Sequence, residues 1–220
     1  MRIFIVIFLF PSFVFAQTTN AVWSEIGFKG KITKNLGWGA EINTRFGDSR
    51  GVQAFFPQAS FSYKVTKWFK PSVDFRYILK KDKFDNYQGT NRIIVNANFE
   101  KKLNKRWSAE LRLRYQFGFS RWQANTGYND ETSTAIRLRP EISYKIKKSP
   151  FIPYLKSEVF YNMEPYNYMF RKVRLGIGTS IDLDDPLVLS VGYIYDRELN
   201  DKNNRPSIRH ICTFSIKYKF

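Results

Sequence analysis

The sequence predicts an all-β chain folded as a transmembrane up-and-down antiparallel β-barrel of about 10–12 strands, with twelve preferred. Three observations carry this. Almost every segment alternates apolar and polar residues with a period of two, and none shows a helical period. Short and long connections alternate along the chain. The apolar faces end in aromatic residues at both ends.

Residues 1–16, MRIFIVIFLFPSFVFA, carry one basic residue, an apolar run over 3–10 and small residues at Val14 and Ala16. That is the plan of a secretory signal peptide cut between Ala16 and Gln17, which leaves 17–220 as the barrel domain. Beyond Ala16 no apolar stretch approaches the ~18–20 residues of a membrane helix, and mean hydropathy is −0.41. A chain of this composition crosses a bilayer with strands or not at all.

The strands follow in order. Segments 22–32, 36–46 and 54–65 open the barrel. In LGWGAEINTRF, Leu36, Trp38, Ala40, Ile42, Thr44 and Phe46 share one face, against Glu41, Asn43 and Arg45. In FKPSVDFRYILK, Phe69, Val73, Phe75, Tyr77 and Leu79 oppose Lys70, Asp74, Arg76 and Lys80. After 92–103, WSAELRLRYQF sets Trp107, Leu111, Leu113, Tyr115 and Phe117 against Glu110, Arg112, Arg114 and Gln116. Segments 134–146, 151–161, 171–181, 187–196 and 208–220 complete eleven. Bacterial single-chain barrels have an even number of strands, so 17–25 is expected to add a short twelfth. Ten is the alternative. Pro57, Pro71, Pro140 and Pro153 fall within strands, and the central Pro140 is expected to sit at a bulge.

Short turns are expected at 33–35, 66–67, 104–106, 147–150 and 182–186, and longer polar loops at 47–53, 81–91, 120–133, 162–170 and 197–207. Membrane barrels have such unlike rims, with the short turns periplasmic. A weak repeat reinforces the hairpin plan, for a Trp near each of three short turns is followed by an acid and then by Arg and an aromatic.

The apolar face is assigned outward. Trp38, Trp68 and Trp107 lie beside short turns, while Phe46, Tyr77, Phe117, Tyr161 and Tyr195 lie toward the long loops. Two such girdles mark the two interfaces of a bilayer. In the closing RHICTFSIKYKF, Phe214, Ile216, Tyr218 and Phe220 face lipid, and the chain stops on an aromatic. This end resembles the C-terminal signal that outer-membrane barrels present to their assembly machinery. The signal peptide, the hairpin plan, the size and the early AVWSEIGFKGKITKNLGWGAEINTRF together resemble a Gram-negative outer-membrane barrel family known only as domain of unknown function 2490. The resemblance covers nearly the whole mature chain. It implies an outer-membrane location and brings no functional residues with it.

The inward face is therefore the charged one. Its lumen-lining candidates are Arg45, Arg76, Arg92, Arg112, Arg114, Arg137, Arg139 and Arg174, with Glu41, Asp74, Glu110 and Glu141. Lys29, Lys156 and Lys172 and the carboxylates Glu25, Glu100 and Glu158 join them. Opposite charges at matching heights are expected to pair across strands. The basic surplus points to either a salt-bridged polar plug or a narrow path that favours anions. Lysines cluster at the short-turn rim, Lys217 and Lys219 among them, which suits anionic headgroups. This placement, with export, accounts for the formal charge of +17 without nucleic acid.

Motifs for chemistry are few. One Cys and one His exclude a disulfide framework and Cys- or His-cluster metal sites, and no cofactor is expected. His210 and Cys212 share the outward face, a spacing that resembles the His and Ser of lipid-modifying barrels. A base also needs an orienting group, and the preceding strand offers only Leu187, Leu189, Val191, Tyr193 and Tyr195 on that face. His210 reads as an interfacial residue and Cys212 as a small filler. LGIGTS (175–180) lacks the full phosphate-loop pattern, and DLDDP (182–186) reads as a turn.

The leading expectation is a non-enzymatic outer-membrane barrel, structural or a narrow anion-preferring channel. The alternatives are a lipid hydrolase or acyltransferase using His210 and Cys212, and an adhesion barrel using loop aromatics Trp122, Tyr128, Tyr166 and Tyr168. Expected partners are outer-membrane lipid, lipopolysaccharide and the barrel assembly machinery, with oligomeric state open.

Overall fold

Successive side chains of a strand point to opposite faces, so a two-faced sheet must shield one face from the other's solvent. The chain does this by closure. The computed structural model describes residues 18–47, 51–81, 86–119, 133–164, 167–183, 186–199 and 207–220. Its strands are β1 (Thr18–Lys31), β2 (Leu36–Gly47), β3 (Val52–Tyr63), β4 (Phe69–Lys81), β5 (Tyr87–Lys102) and β6 (Trp107–Phe119). They continue as β7 (Ser133–Tyr144), β8 (Phe151–Glu164), β9 (Asn167–Leu183), β10 (Leu187–Glu198) and β11 (Ser207–Lys219). Each strand pairs with its chain neighbours, and β1 pairs with β11 to close the barrel.

The count among the described residues is eleven, neither twelve nor ten. Residues 18–25 are the first half of β1, because no turn interrupts Thr18–Lys31 and its pairing with β11 runs unbroken from Thr18↔Ile208 to Lys29↔Lys219. With an odd count the first and last strands run the same way, so this seam is parallel while the other ten junctions are antiparallel.

Pro140 also departs from expectation. It pairs with Leu111 on β6, but the β7–β8 ladder passes from Leu138↔Val159 to Glu141↔Lys156 without a register shift. The missing N–H leaves a gap in the ladder and no bulge. Pro57 does the same between β3 and β4, where pairing resumes in register after Phe55↔Leu79 at Gln58↔Arg76. The bulges lie elsewhere, at Arg45/Phe46 and Phe160/Tyr161. The long loop expected over 162–170 is mostly strand, with β8 reaching Glu164 and β9 starting at Asn167.

The short turns share one device. The side-chain oxygens of Thr33, Thr66 and Asn104 accept the N–H of Leu36, Phe69 and Trp107, at 3.0, 3.0 and 2.8 Å. Each satisfies an N–H at the start of the next strand, which fixes the hairpin register.

The exterior is apolar. Phe61, Leu155 and Ile177 are each more than half exposed, among many large hydrophobic residues of the outer face. Among the described residues only six hydrophobic ones are buried: Ala21, Ala54, Phe56, Ile94, Ile194 and Ile211. In water each exposed side chain of this size would forgo about 1.5–3 kcal/mol of burial. The distribution is that of a protein whose outer solvent is hydrocarbon.

Candidate functional site

Closure gathers the alternate, charged residues of eleven strands around one interior. Two chambers lie there, of about 420 and about 660 Å³. The larger reaches the short-turn rim, where Lys64, Thr66, Lys67 and Trp68 line it. The smaller lies further in, and Glu25, Arg76, Glu110, Arg112, Arg114, Arg139 and Lys217 line both. Ala21, Ile194 and Ile211 pack together inside the barrel with Trp23 against them. Ala21, Ile211 and Ile194 are cross-strand neighbours on β1, β11 and β10, and since Trp23 and Ile194 also line the smaller chamber, this apolar row forms part of its wall.

The predicted lumen residues fall into three groups. Arg45, Arg76, Arg112, Arg114, Arg137, Arg139, Arg174, Glu110 and Glu141 line the smaller chamber, and Glu41 and Asp74 the larger. Arg92 lines neither; it sits opposite Arg76 on β5. Lys217, expected at the rim, faces the interior, where its Nζ lies 2.6 Å from Glu25 and 3.8 Å from Glu41. Parity explains this, since Lys217 is in phase with Ser215 and Thr213, which line the same chamber.

Opposite charges do not pair at matching heights on β5–β7. Glu110 faces Glu100 and Glu141, Arg112 faces Arg139, and Arg114 faces Arg137. Like charges directly opposite repel, so the side chains lean along the barrel to the next row. Arg112 and Arg139 both reach Glu110, at 3.0 and 3.2 Å. Arg114 bonds its direct cross-strand neighbour Asn96 at 2.7 Å and leans toward Asp74 at 3.8 Å.

Around the chamber two flanks differ. On β8–β10, Glu158 receives Arg137 at 2.6 Å and Arg174 at 3.5 Å. Asp196, only 2% exposed, receives Arg174 at 3.1 Å and Lys172 at 3.6 Å. Arg45, Arg76 and Arg92, on β2–β5, make no ion pair with a described residue. Arg76 bonds through Nε and a terminal nitrogen to the amide oxygen of Gln58, and the Nε atoms of Arg45 and Arg92 are buried without a partner.

Aromatic rings hold the guanidiniums of Arg45 and Arg76 instead. Arg45 lies 4.1 Å from the Trp23 ring and 4.7 Å from Phe56, whose ring also carries Arg76 at 4.8 Å. Arg174 stacks on Trp23 and Phe160, and Phe160 takes Arg137 at 4.3 Å. A ring face attracts a cation without neutralising it. Trp23, Phe56, Phe160 and Asp196 were not read as functional from the sequence. The available signal was phase, for Trp23 alternates with Glu25, Phe56 with Gln58, Phe160 with Glu158, and Asp196 with Ile194.

On the outer wall, the Tyr193 hydroxyl is hydrogen-bonded to Nδ1 of His210, and Tyr195 meets the same ring edge-on. Cys212 pairs across from Tyr193. Phe214, Ile216, Tyr218 and Phe220 are all exposed on the exterior. Phe220 donates its N–H to the Lys29 carbonyl at 2.8 Å and stacks on Trp38. Trp122, Tyr128, Tyr166 and the signal segment lie outside the described residues, as does the Tyr168 side chain.

A closed sheet with an apolar exterior and a charged, chambered interior is an outer-membrane-type β-barrel. The chain belongs to the family described as Protein of unknown function (DUF2490), whose model matches residues 20–206. The fold is similar to the crystal structure of the beta domain of the Bordetella autotransporter BrkA. That likeness has a TM-score of 0.51 and 14% identity, and covers 81% of each chain. No curated protein matches the sequence.

Proposed function

We propose that the protein is a non-enzymatic barrel of the outer membrane whose interior favours anions over cations. The observation that carries this is the lining of the smaller chamber, where nine basic residues stand against four acidic ones. Rings of Arg and Lys select for anions, and charges in a confined, poorly polarisable space act more strongly than in water. The larger chamber has nine basic residues against five acidic, and its Lys64 and Lys67 extend the positive field to the short-turn rim. That rim faces the periplasm in this reading and rests against anionic headgroups of the membrane. The fold and the exposed outer belt, Phe214, Ile216, Tyr218 and Phe220 of β11 and its end included, support assembly into the outer membrane, with its lipid, its lipopolysaccharide and the barrel assembly machinery as partners.

A purely structural barrel is the second reading, and the interior ion pairs of Glu110, Glu158 and Asp196 favour it. An enzyme is disfavoured by the outer wall, where the group held by His210 is a tyrosine hydroxyl and not a carboxylate. Reversal potentials in planar bilayers under a salt gradient decide between the first two. Anion preference that weakens as salt rises is expected. Cation preference would refute the reading, and absence of conductance would favour the structural one. Fractionation as a soluble periplasmic monomer would end both.

A further inference from the structure

We propose that the smaller chamber contains a binding site for a dianionic oxyanion, inorganic phosphate or a small phosphate monoester, built on Asn43, Arg45 and Arg76. The proposal rests on the anion-favouring reading above and specifies which anion the chamber takes.

The first argument is an inventory of hydrogen bonds. Six buried side-chain polar atoms among the described residues have no partner, and five of them are donors. Four of those donors belong to residues lining this one chamber: Asn43 Nδ2 and the Nε atoms of Arg45, Arg112 and Arg139. Buried donors without acceptors bear their full desolvation cost. Chance would scatter such atoms over both signs of hydrogen bonding and over the whole interior. Those of Asn43 and Arg45 line this chamber and not the larger one, while those of Arg112 and Arg139 line both, and together they form the complement of an acceptor-rich ligand.

The second argument is charge. Arg112 and Arg139 already share Glu110, so their demand is partly met. Arg45 has no carboxylate partner among the described residues, and Arg76 has only the neutral Gln58. Both guanidiniums are fixed against one ring, Phe56. Asn43 stands two residues before Arg45 on the same inward face of β2. The site therefore offers two guanidiniums without a direct ion pair to a described residue and a neutral donor, carried on β2 and β4, which flank β3 in one sheet.

The ligand class follows. Two charges call for a dianion, and a phosphate monoester carries about −1.5 to −2 near neutral pH with three acceptor oxygens. The guanidinium fork matches phosphate geometry, whereas a monocarboxylate brings half the charge. About 420 Å³ admits phosphate with a small organic stub. The residues shared with the rim-facing chamber place the approach on the aqueous side, so the source is a soluble anion and not a lipid headgroup.

The test uses the full-length folded barrel in detergent, titrated calorimetrically with inorganic phosphate, with glycerol phosphate and with acetate, at ionic strength matched by sodium chloride. Saturable binding of the two phosphates is expected, with acetate at least about tenfold weaker. R45Q and R76Q should each weaken phosphate by about tenfold or more, while R45K gives a smaller loss and K34Q, on an exposed turn, none. Heat-modifiable migration reports folding of each variant, and the wild-type comparison decides even where a variant misfolds. No saturable phosphate binding, acetate equal to phosphate, or an equal loss in K34Q would overturn the site. Binding of vesicles containing phosphatidylglycerol in place of soluble phosphate would overturn the aqueous source. The failures are separable. Anion preference in chloride without phosphate binding sinks only the site, and saturable binding in a non-conducting barrel sinks only the channel.

Discussion

Arg174 and Arg45 lie against the same indole, Trp23, and their charges are answered in opposite ways. Arg174 belongs to a flank where Glu158, Asp196 and Glu198 receive Arg137, Arg174, Arg171 and Lys172. Arg45 belongs to a flank with Arg76, where a neutral amide and aromatic faces stand in for carboxylates, and with Arg92, which stands opposite Arg76. The first flank is charge spent on holding strands together, since each carboxylate bridges a junction of β7–β10. The second is charge left in reserve. In a confined interior, a neutralised arginine contributes little field to a passing ion, and an unneutralised one contributes most of its own.

Breaking the neutralised flank should have the largest effect. Glu158→Gln removes the partner of two buried arginines, and loss of one member of a buried ion pair costs about 3–5 kcal/mol. A urea titration of the detergent-folded barrel should show this as a fall in the unfolding midpoint. Asp196→Asn, which strips Arg174 and Lys172 of their shared carboxylate, should fall comparably. An unchanged midpoint in both would mean that the flank is not a structural clasp.

Selectivity sharpens the comparison. Replacing Arg112 and Arg114 with Gln removes two positive charges, frees Asp74 of its ion pair and leaves Glu110 with Arg139 alone. Reversal potentials should show anion preference reduced or reversed. Arg45→Gln with Arg76→Gln should also reduce it, but with a stability change within about 1 kcal/mol. Loss of cation–π attraction, about 0.5–2 kcal/mol per contact, is there offset by relief of uncompensated charge. If this pair destabilised as much as Glu158→Gln, the distinction between the flanks would fail. The smallest effect is expected on the outer wall, where His210→Ala and Cys212→Ala should leave the lipid profile of the membrane unchanged. Loss of a specific lipid product would reopen the enzymatic reading.

The strands were legible because period-two alternation is a local property, and it placed Arg112 and Glu110 on one face without any structure. Their partners were not legible. Whether Arg112 stands opposite Glu141 or Arg139 depends on hairpin register, which turns set a dozen residues away. Assigning aromatics outward by type hid Trp23, Phe56 and Phe160, although their phase was visible. Eleven strands fall within the expected 10–12, and only the preference for twelve failed, for a different reason. Evenness is a generalisation about bacterial barrels, and this chain departs from it by running Thr18–Lys31 as one strand.

The parallel seam has a consequence for the order in which the barrel can form. Ten junctions join strands adjacent in the chain, and such hairpins form in about 1–10 μs in isolation. The bond from Ser215 to Glu25 spans 190 residues. Entropy of closure rises with the logarithm of loop length, and non-local pairings slow folding. A growing meander can thus zip from either end, but β1 keeps an unpaired edge until the last strand arrives. An open edge recruits foreign strands, so the interval before closure is when the chain is most exposed to mispairing. The Glu25–Lys217 contact at 2.6 Å and the Phe220-to-Lys29 bond form only at that step. A truncation within 208–219 leaves a sheet with two open edges and not a smaller barrel.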